Sequence, residues 1–382
     1  MRITVLSGGV GGARFVSGVR GWARRDAAAQ GLPDDDAHDI RVVVNTGDDW
    51  WLAGLRIAPD HDSLLYSLSG QNDQDRGWGR RDETERVASE LQTWGVTPEW
   101  FTLGDLDLGV HIARTAWLRG GVPLGEVYRR LGARWQLGAT LVPATEDEID
   151  TYVHTADGQR MHFQEWWTRH RASIPAVRFE NADIERARPA GEALDAVADA
   201  DVILLAPSNP VVSIGPILGI PGMRDALRAA SAPVVGVAPV IGGRVVRGMA
   251  DACLTAIGVD TDAAAIARHY RTRHAGGVLD GWLVAEEDAA SVAGLTADGI
   301  ASRAVPLWMR DADTSATLAG DALVGDARPE RQQAECYFWL VGWSRLRAPD
   351  RPRRKFHRRT HAQRHIARIE RYLQDLMFDP SP

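Results

Sequence analysis

Lysine is all but missing from this chain: of its 44 basic residues only Lys355 is a lysine, and it stands near the C-terminus. A Schiff base on a lysine, or a phosphate loop of the Gly-Lys-Ser kind, therefore has nothing to build on in the main body. Cysteine is equally scarce. Cys253 and Cys336 are the only two, and neither has a second cysteine or histidine at zinc-like spacing, so neither a disulfide framework nor a thiolate metal cluster is indicated. Apolar runs stay well short of the roughly eighteen residues that a membrane-spanning helix needs. A secretory leader is not apparent either, because Met1-Arg2-Ile3-Thr4-Val5-Leu6-Ser7-Gly8-Gly9 runs straight from an apolar strand into a glycine turn. Together these absences predict a soluble, cytoplasmic protein with no membrane partner.

What is present fits an enzyme. The 382 residues are 45% hydrophobic and 25% charged, with 38 glycines, enough for one large α/β domain or two smaller ones. The net charge of −7 is unevenly spread: residues 328–382 hold 13 Arg or Lys against 6 Asp or Glu, whereas residues 1–327 hold 31 against 45. An acidic body argues against a nucleic-acid partner and leaves metal-bridged anions as natural ligands.

Short apolar runs alternate with helical patterns. Strands are predicted at Ile3 to Leu6, Arg41 to Asn45, Val202 to Ala206, Val234 to Ala238 and Trp282 to Ala285. Helices are predicted at Ala13 to Arg25, Glu83 to Trp94, Val110 to Arg119, Gly191 to Ala200, Pro221 to Ala230 and Ala263 to Tyr270. Continuous apolar strands between such helices imply a three-layer, Rossmann-like α/β fold with a mainly parallel central sheet. One stretch departs from this rhythm. Thr151 to His154, the turn Ala156-Asp157-Gly158 and Arg160 to Phe163 read as a β-hairpin, followed by Trp166-Trp167, within an inserted subdomain of about residues 130–190. Residues 26–39, with Asp34-Asp35-Asp36, read as a surface loop. After a body of residues 1–327 comes an extension, 328–382, with an aromatic run at Cys336 to Trp343, a basic run at Arg351 to Arg359 and helical periodicity from Ile366 to Met377.

Four segments carry chemistry. Ser7-Gly8-Gly9-Val10-Gly11-Gly12-Ala13-Arg14 joins a strand to a helix, where glycines let backbone amides approach a diphosphate; a tight turn without a ligand would use the same residues. Asn45-Thr46-Gly47-Asp48-Asp49-Trp50 ends the second strand, and Asp60-His61-Asp62 follows closely. Four carboxylates in adjacent loops suit a divalent cation that bridges diphosphate oxygens, and one of them is placed to accept a proton from an attacking hydroxyl. Helix capping is the plainer use for Asp60 and Asp62, whereas the Asp48-Asp49 pair asks for a counter-charge. Arg76-Gly77-Trp78-Gly79-Arg80-Arg81-Asp82-Glu83-Thr84 offers guanidinium groups and a stacking face, with Asp82 as an alternative helix cap. Ala206-Pro207-Ser208-Asn209-Pro210-Val211-Val212-Ser213-Ile214-Gly215 follows a strong strand and supplies small polar groups to a nucleotide, or else a rigid connection. Gly242-Gly243-Arg244 and Arg247-Gly248 add cations. Ser208 has no Gly-x-Ser-x-Gly setting and is not read as a nucleophile.

In this order the segments resemble the 2-phospho-L-lactate transferase family of coenzyme F420 biosynthesis, in its actinobacterial phosphoenolpyruvate transferase branch. The likeness spans about residues 1–327 and includes Val44-Asn45-Thr46-Gly47-Asp48-Asp49, Pro59-Asp60-His61-Asp62, Gly77 to Thr84, His162-Phe163-Gln164-Glu165-Trp166-Trp167, Arg247 to Asp251 and Gly281-Trp282-Leu283-Val284. The resemblance implies a magnesium-dependent transfer. The terminal ribityl hydroxyl of 7,8-didemethyl-8-hydroxy-5-deazariboflavin would attack the distal phosphorus of a guanosine diphosphate ester, either enolpyruvyl or lactyl, giving (dehydro) coenzyme F420-0 and GMP. It further implies Asp48 and Asp49 as catalytic residues, with Asp60 and Asp62 joining them around the metal. Asp48, Trp78 and Arg81 would meet the deazaflavin. Gly8, Gly9, Gly11, Gly12, Ser208, Asn209, Pro210, Ser213, Gly215 and Arg244 would hold the guanosine diphosphate part, in a homodimer acting on small molecules.

Two departures stand out. Arg244 stands where the family often has lysine, which keeps the charge but alters its geometry, and the chain continues past the family pattern. Two other classes compete: a non-catalytic nucleotide-sugar-binding regulator of the gluconeogenesis-factor type, against which stand the Asp48-Asp49 pair and the Gly77 to Thr84 loop, and an NAD-linked dehydrogenase, against which stands Asn45 at the place of the ribose-binding acid.

Overall fold

The computed structural model describes residues 1–33, 37–73 and 75–323. The Asp34-Asp35-Asp36 stretch and the whole 328–382 extension, with Cys336 and Lys355, lie outside the described residues.

Seven strands form one sheet in the order Ala301–Val305, Gly281–Ala285, Val234–Val237, Val202–Leu205, Arg2–Ser7, Asp39–Val44, Thr140–Pro143. Every neighbouring pair is parallel. The inner strands are apolar on both faces, Val-Ile-Leu-Leu at 202–205 and Val-Val-Gly-Val at 234–237, and are buried throughout, as a sheet covered by helices on each side demands. All five predicted strands belong to this sheet. The chain lays down Arg2–Ser7 first, adds strands on one side of it, then returns to build the other side from Val202–Leu205 onward. The order therefore reverses between these two strands, and a crevice opens beyond their carboxyl ends, where open α/β sheets bind ligands.

Antiparallel pieces sit around this frame. The predicted hairpin forms from Thr151–Thr155 and Arg160–His162, and Ala176–Asn181 pairs along its other edge. Thr140–Pro143, by contrast, belongs to the central sheet. Behind the hairpin, Glu165–Arg169 winds as a single π-helical turn. That turn sends Trp166 inward, fully buried with its indole N–H on the Ile174 carbonyl at 2.8 Å, and leaves Trp167 partly exposed. Smaller hairpins join Trp50–Leu52 to Leu55–Ile57 and Val240–Ile241 to Arg244–Val245.

Candidate active site

The loops leaving the carboxyl ends of the strands wall a cleft of about 810 Å³. At its base the chain turns through Gly8 into the helix Gly9–Ala29. Gly9 has φ +66°, a left-handed backbone that a side chain would strain. A Cβ on Gly8 would lie 2.2 Å from Asp60 Oδ2, so the bare backbone is what lets the acid come so close. Asp60 accepts the Gly9 amide at 2.6 Å and Asn45 Nδ2 at 2.8 Å. The Ser208 hydroxyl donates to the Gly8 carbonyl at 2.7 Å, and Gly12 packs beneath against the hydroxyls of Ser7 and Ser208. Val10 and Gly11 line the cleft in the first helical turn, whose amides have no intrahelical acceptor and face anions favourably.

Asn45 earns its place structurally. Besides Asp60 it donates to the Val212 carbonyl at 3.0 Å and accepts the Gly47 amide at 3.0 Å, so one side chain pins three loops together. Asp48 lines the cleft, 6% exposed, and its Oδ1 has no hydrogen-bond partner. Burial, then the nearby charges of Asp60 and Asp49, push its carboxyl well above the usual carboxylate range. Asp49 lies behind the wall with both oxygens unpartnered; burial raises it too, against the pull of Arg56 and Arg114. Burial likewise raises Asp60 to about 6 despite its bonds from Asn45 and Gly9. Asp62 differs. Burial alone would raise it, but the Arg114 guanidinium, with His61 and His111, holds it well below the usual range.

The capping alternatives are corrected by the geometry. The helix Pro59–Ser69 starts after Ala58, so Asp60 and Asp62 lie inside its first turn, and neither caps it. Asp82, at φ +59°, precedes the helix Arg86–Thr93 by several residues and does not cap it.

Of the sequence-predicted site residues, Gly8, Gly9, Gly11, Asp48, Asp60, Asp62, Trp78, Ser208, Asn209 and Ser213 share the cleft wall. Gly12 and Asp49 stand directly behind it. Pro210 is buried behind the loop, and Gly215 lies in the helix Ile214–Gly219 with the Pro210 carbonyl tight against it. Arg81 is exposed beside Asp82, 3.8 Å away, and does not line the cleft. Its neighbour Arg80 is the buried one, its guanidinium 5.8 Å from the Tyr66 ring. Arg244 is exposed on its short hairpin and off the wall; Arg247 lines the cleft instead and donates to the carbonyls of Arg76 and Gly77 at 3.4 and 3.3 Å.

Sequence reasoning gave no individual role to several wall residues. Trp100, Phe101, Trp167 and Trp308 supply aromatic faces, and Arg14, Arg171 and Arg310 supply cations. Arg14 donates to the Met309 carbonyl at 3.0 Å rather than to an acid. Arg171 and Ala172 are consecutive left-handed residues, φ +49° and +53°, just after the π turn that positions Trp167. The Trp166-Trp167 pair was the available signal, since consecutive side chains leave the backbone in different directions.

With this geometry in hand, comparison with known proteins adds three findings. The sequence signature described as 2-phospho-L-lactate transferase CofD matches residues 3–303. Proteins named phosphoenolpyruvate transferase from Mycobacterium avium and Mycobacterium ulcerans are 49% and 50% identical over 335 and 333 residues, 85% of this chain and 98% and 99% of theirs. Two solved structures of the Bacillus halodurans protein BH3568, described in one of them as a member of the UPF0052 family, share the fold. Their TM-scores are 0.53 and 0.54 at 18% and 16% identity, over 84% of this chain and 99% and 98% of theirs.

Proposed function

Because the chain belongs to the 2-phospho-L-lactate transferase family, and is thus a transferase of coenzyme F420 biosynthesis, we propose that it moves an enolpyruvyl-phosphate group from a guanosine diphosphate donor to the ribityl hydroxyl of 7,8-didemethyl-8-hydroxy-5-deazariboflavin. The lactyl donor is the alternative substrate of the same chemistry. The observation that carries this reading is the contact of the glycine turn with the acids: the amide of Gly9, at a helix N-terminus suited to a diphosphate, is bonded to Asp60, which stands beside Asp48 in the same cleft.

In this reading the ribityl oxygen forms a bond to the distal phosphorus, the bridging phosphorus–oxygen bond breaks, and GMP leaves with the electron pair. The hydroxyl proton passes to a carboxylate of the Asp48–Asp49 pair. Amides of Val10 and Gly11 with the loop Ser208 to Ser213 hold the diphosphate, while Arg14, Arg171, Arg247 and Arg310 neutralise the donor's charge from the wall. Such transfers need positioning and charge compensation more than a covalent nucleophile, which suits a cleft of acids, arginines and amides. Trp78, Trp100, Phe101 and Trp167 offer faces for the flat deazaflavin ring.

Orphaned, buried carboxylate oxygens on Asp49 and on Asp48, whose charged neighbours are Asp60 and Asp49, fit a divalent cation. Asp48 and Asp60 would hold magnesium at the wall, with Asp49 supporting from behind; Asp62, which the resemblance adds to this set, is already paired with Arg114. When bound it supplies charge neutralisation on the diphosphate oxygens. A homodimer is the assembly the resemblance implies.

The test is to incubate the protein with the deazaflavin alcohol, magnesium and enolpyruvyl-diphosphoguanosine, following GMP release and product mass. GMP together with dehydro coenzyme F420-0 is the expected outcome. A folded protein that forms no product with either donor, yet binds UDP-sugars without magnesium, would replace this reading with the nucleotide-sugar regulator.

A further inference from the structure

One buried cluster on the cleft wall has the spacing of a metal site. Ligand atoms of Asp62, Asp107 and His111 lie within 4.8 Å of one another, all three residues are buried, and all three line the cleft. Distance alone would make it a second cation site. The hydrogen bonds around it point elsewhere.

Arg114, fully buried on the same helix as His111, Asp105–Arg119, is anchored by donating to the Arg56 carbonyl at 3.2 Å. The same Nη1 donates to His111 Nδ1 at 2.9 Å. A guanidinium has donors and no acceptor, so Nδ1 must carry the lone pair, and in a neutral ring Nε2 then carries the proton. What His111 turns toward Asp107 Oδ2, 3.4 Å away, is an N–H rather than a metal-binding lone pair. Arg114 Nη2 also donates to Asp62 Oδ1, cancelling the negative charge that a cation would use. Finally, the Tyr66 hydroxyl donates to Asp107 Oδ1 at 2.5 Å.

The atoms left over form a pattern. Asp62 Oδ2 and His111 Nε2 are buried without hydrogen-bond partners, an acceptor and a donor respectively, and Asp107 Oδ2 is a second acceptor beside that donor. The Ser63 hydroxyl lines the same wall. Neighbouring donors and acceptors at this spacing complement hydroxyl groups, each of which both gives and accepts. A buried donor and acceptor without partners cost stability unless a ligand satisfies them.

We propose that Asp62, Ser63, Asp107 and His111 form a hydroxyl-binding subsite that holds the polyol chain of the acceptor, with Arg114 as the positioning residue that fixes the His111 tautomer. The identity of the polyol rests on the proposed function; the reading of this cluster as hydroxyl-binding rather than cation-binding does not.

The experiment uses the full chain and two equilibrium readouts besides turnover. Binding of the deazaflavin alcohol is followed by its fluorescence, and Mn²⁺ binding by electron paramagnetic resonance. His111→Phe removes the N–H and should weaken alcohol binding about tenfold, the loss of roughly one hydrogen bond. His111→Gln, which keeps an N–H donor, should recover part of that loss, and Mn²⁺ stoichiometry should stay as in the parent for both. An acceptor lacking one ribityl hydroxyl should bind the parent more weakly yet be indifferent to His111→Phe. Loss of one Mn²⁺ site in His111→Phe and His111→Gln, with alcohol binding unchanged, would overturn the subsite in favour of a second metal. Alcohol binding that follows these expectations without turnover would sink the transfer reaction and leave the subsite standing.

Discussion

In the proposed reaction Asp48 is the acid on which the chemistry turns. It lines the cleft with an unpartnered oxygen while Asp49 supports it from behind. Asp48→Asn keeps the volume and removes the charge, so turnover should fall by roughly 10²–10³-fold or more, with the thermal midpoint preserved or raised, because like charges are relieved. Near-parental GMP release from that variant would show the cation is held elsewhere. A different residue tests the nucleotide turn. In Gly8→Ala the new methyl meets Asp60 Oδ2 at 2.2 Å and the Ser213 Cβ at 2.9 Å. The turn has to shift, costing about 1–3 kcal/mol of stability and weakening GMP binding, checked by denaturant melts and calorimetric titration. At this scale the sequence grouped Asp48 with the glycines of the first turn, and the structure sets Asp48, Gly8, Gly9 and Gly11 on one cleft wall. Arg81 and Arg244 lie off that wall, and a run such as Arg80-Arg81 does not say which guanidinium turns inward. Here Arg80 goes in, between Tyr66 and Trp135, and its neighbour is left outside.

The hairpin Thr151 to His162 shows how an element's stability depends on pH. His162 stacks on Trp50 at 5.0 Å and meets Tyr152 edge-on at 5.6 Å. Its Nδ1 accepts the Gln164 amide at 3.1 Å, and burial, helped by the Arg56 charge, lowers it to about 4. Between that value and the unfolded value near 6.5 the unfolded chain binds a proton that the folded chain refuses. Stability from this residue is therefore complete above the unfolded value and is lost as pH falls toward about 4. Asp60, raised to about 6, acts with the opposite sign, so the comparison must be with a variant. His162→Phe should lose less stability than the parent between pH 7 and pH 5 in urea melts; parallel curves would refute the assignment. Among the strands, the five found in sequence are the ones with a neighbouring strand on each side. Thr140–Pro143 and Ala301–Val305 were missed because they are edge strands, one only four residues long and closed by proline, the other interrupted by Ser302 and Arg303. Edge position relaxes the apolar pattern on which strand recognition depends.

For the whole chain, the described residues that line the cleft run from Gly8 to Arg310. A chain ended after Ala327 keeps every described residue of the cleft wall and should keep its turnover number within about twofold; a collapse of activity with the body still folded would assign the extension a role in catalysis. Sequence order alone gave the sheet, its carboxyl-end loops and the acids that gather there. It could not reveal that helix Asp105–Arg119 delivers Asp107, His111 and Arg114 to the same wall, since nothing local in that helix marks the face it shares with Pro59–Ser69.

The 2.6 Å bond from the Gly9 amide to Asp60 has a consequence at this largest scale. In the proposed function it links the glycine turn to the acid cluster thermodynamically, so their ligands would obey reciprocity: whatever factor magnesium lends to GMP affinity, GMP must lend to magnesium affinity. Titrating each ligand with and without the other gives two independent measures of that factor. In Asn45→Ala, which frees Asp60 from one of its two partners, both measures should shrink together.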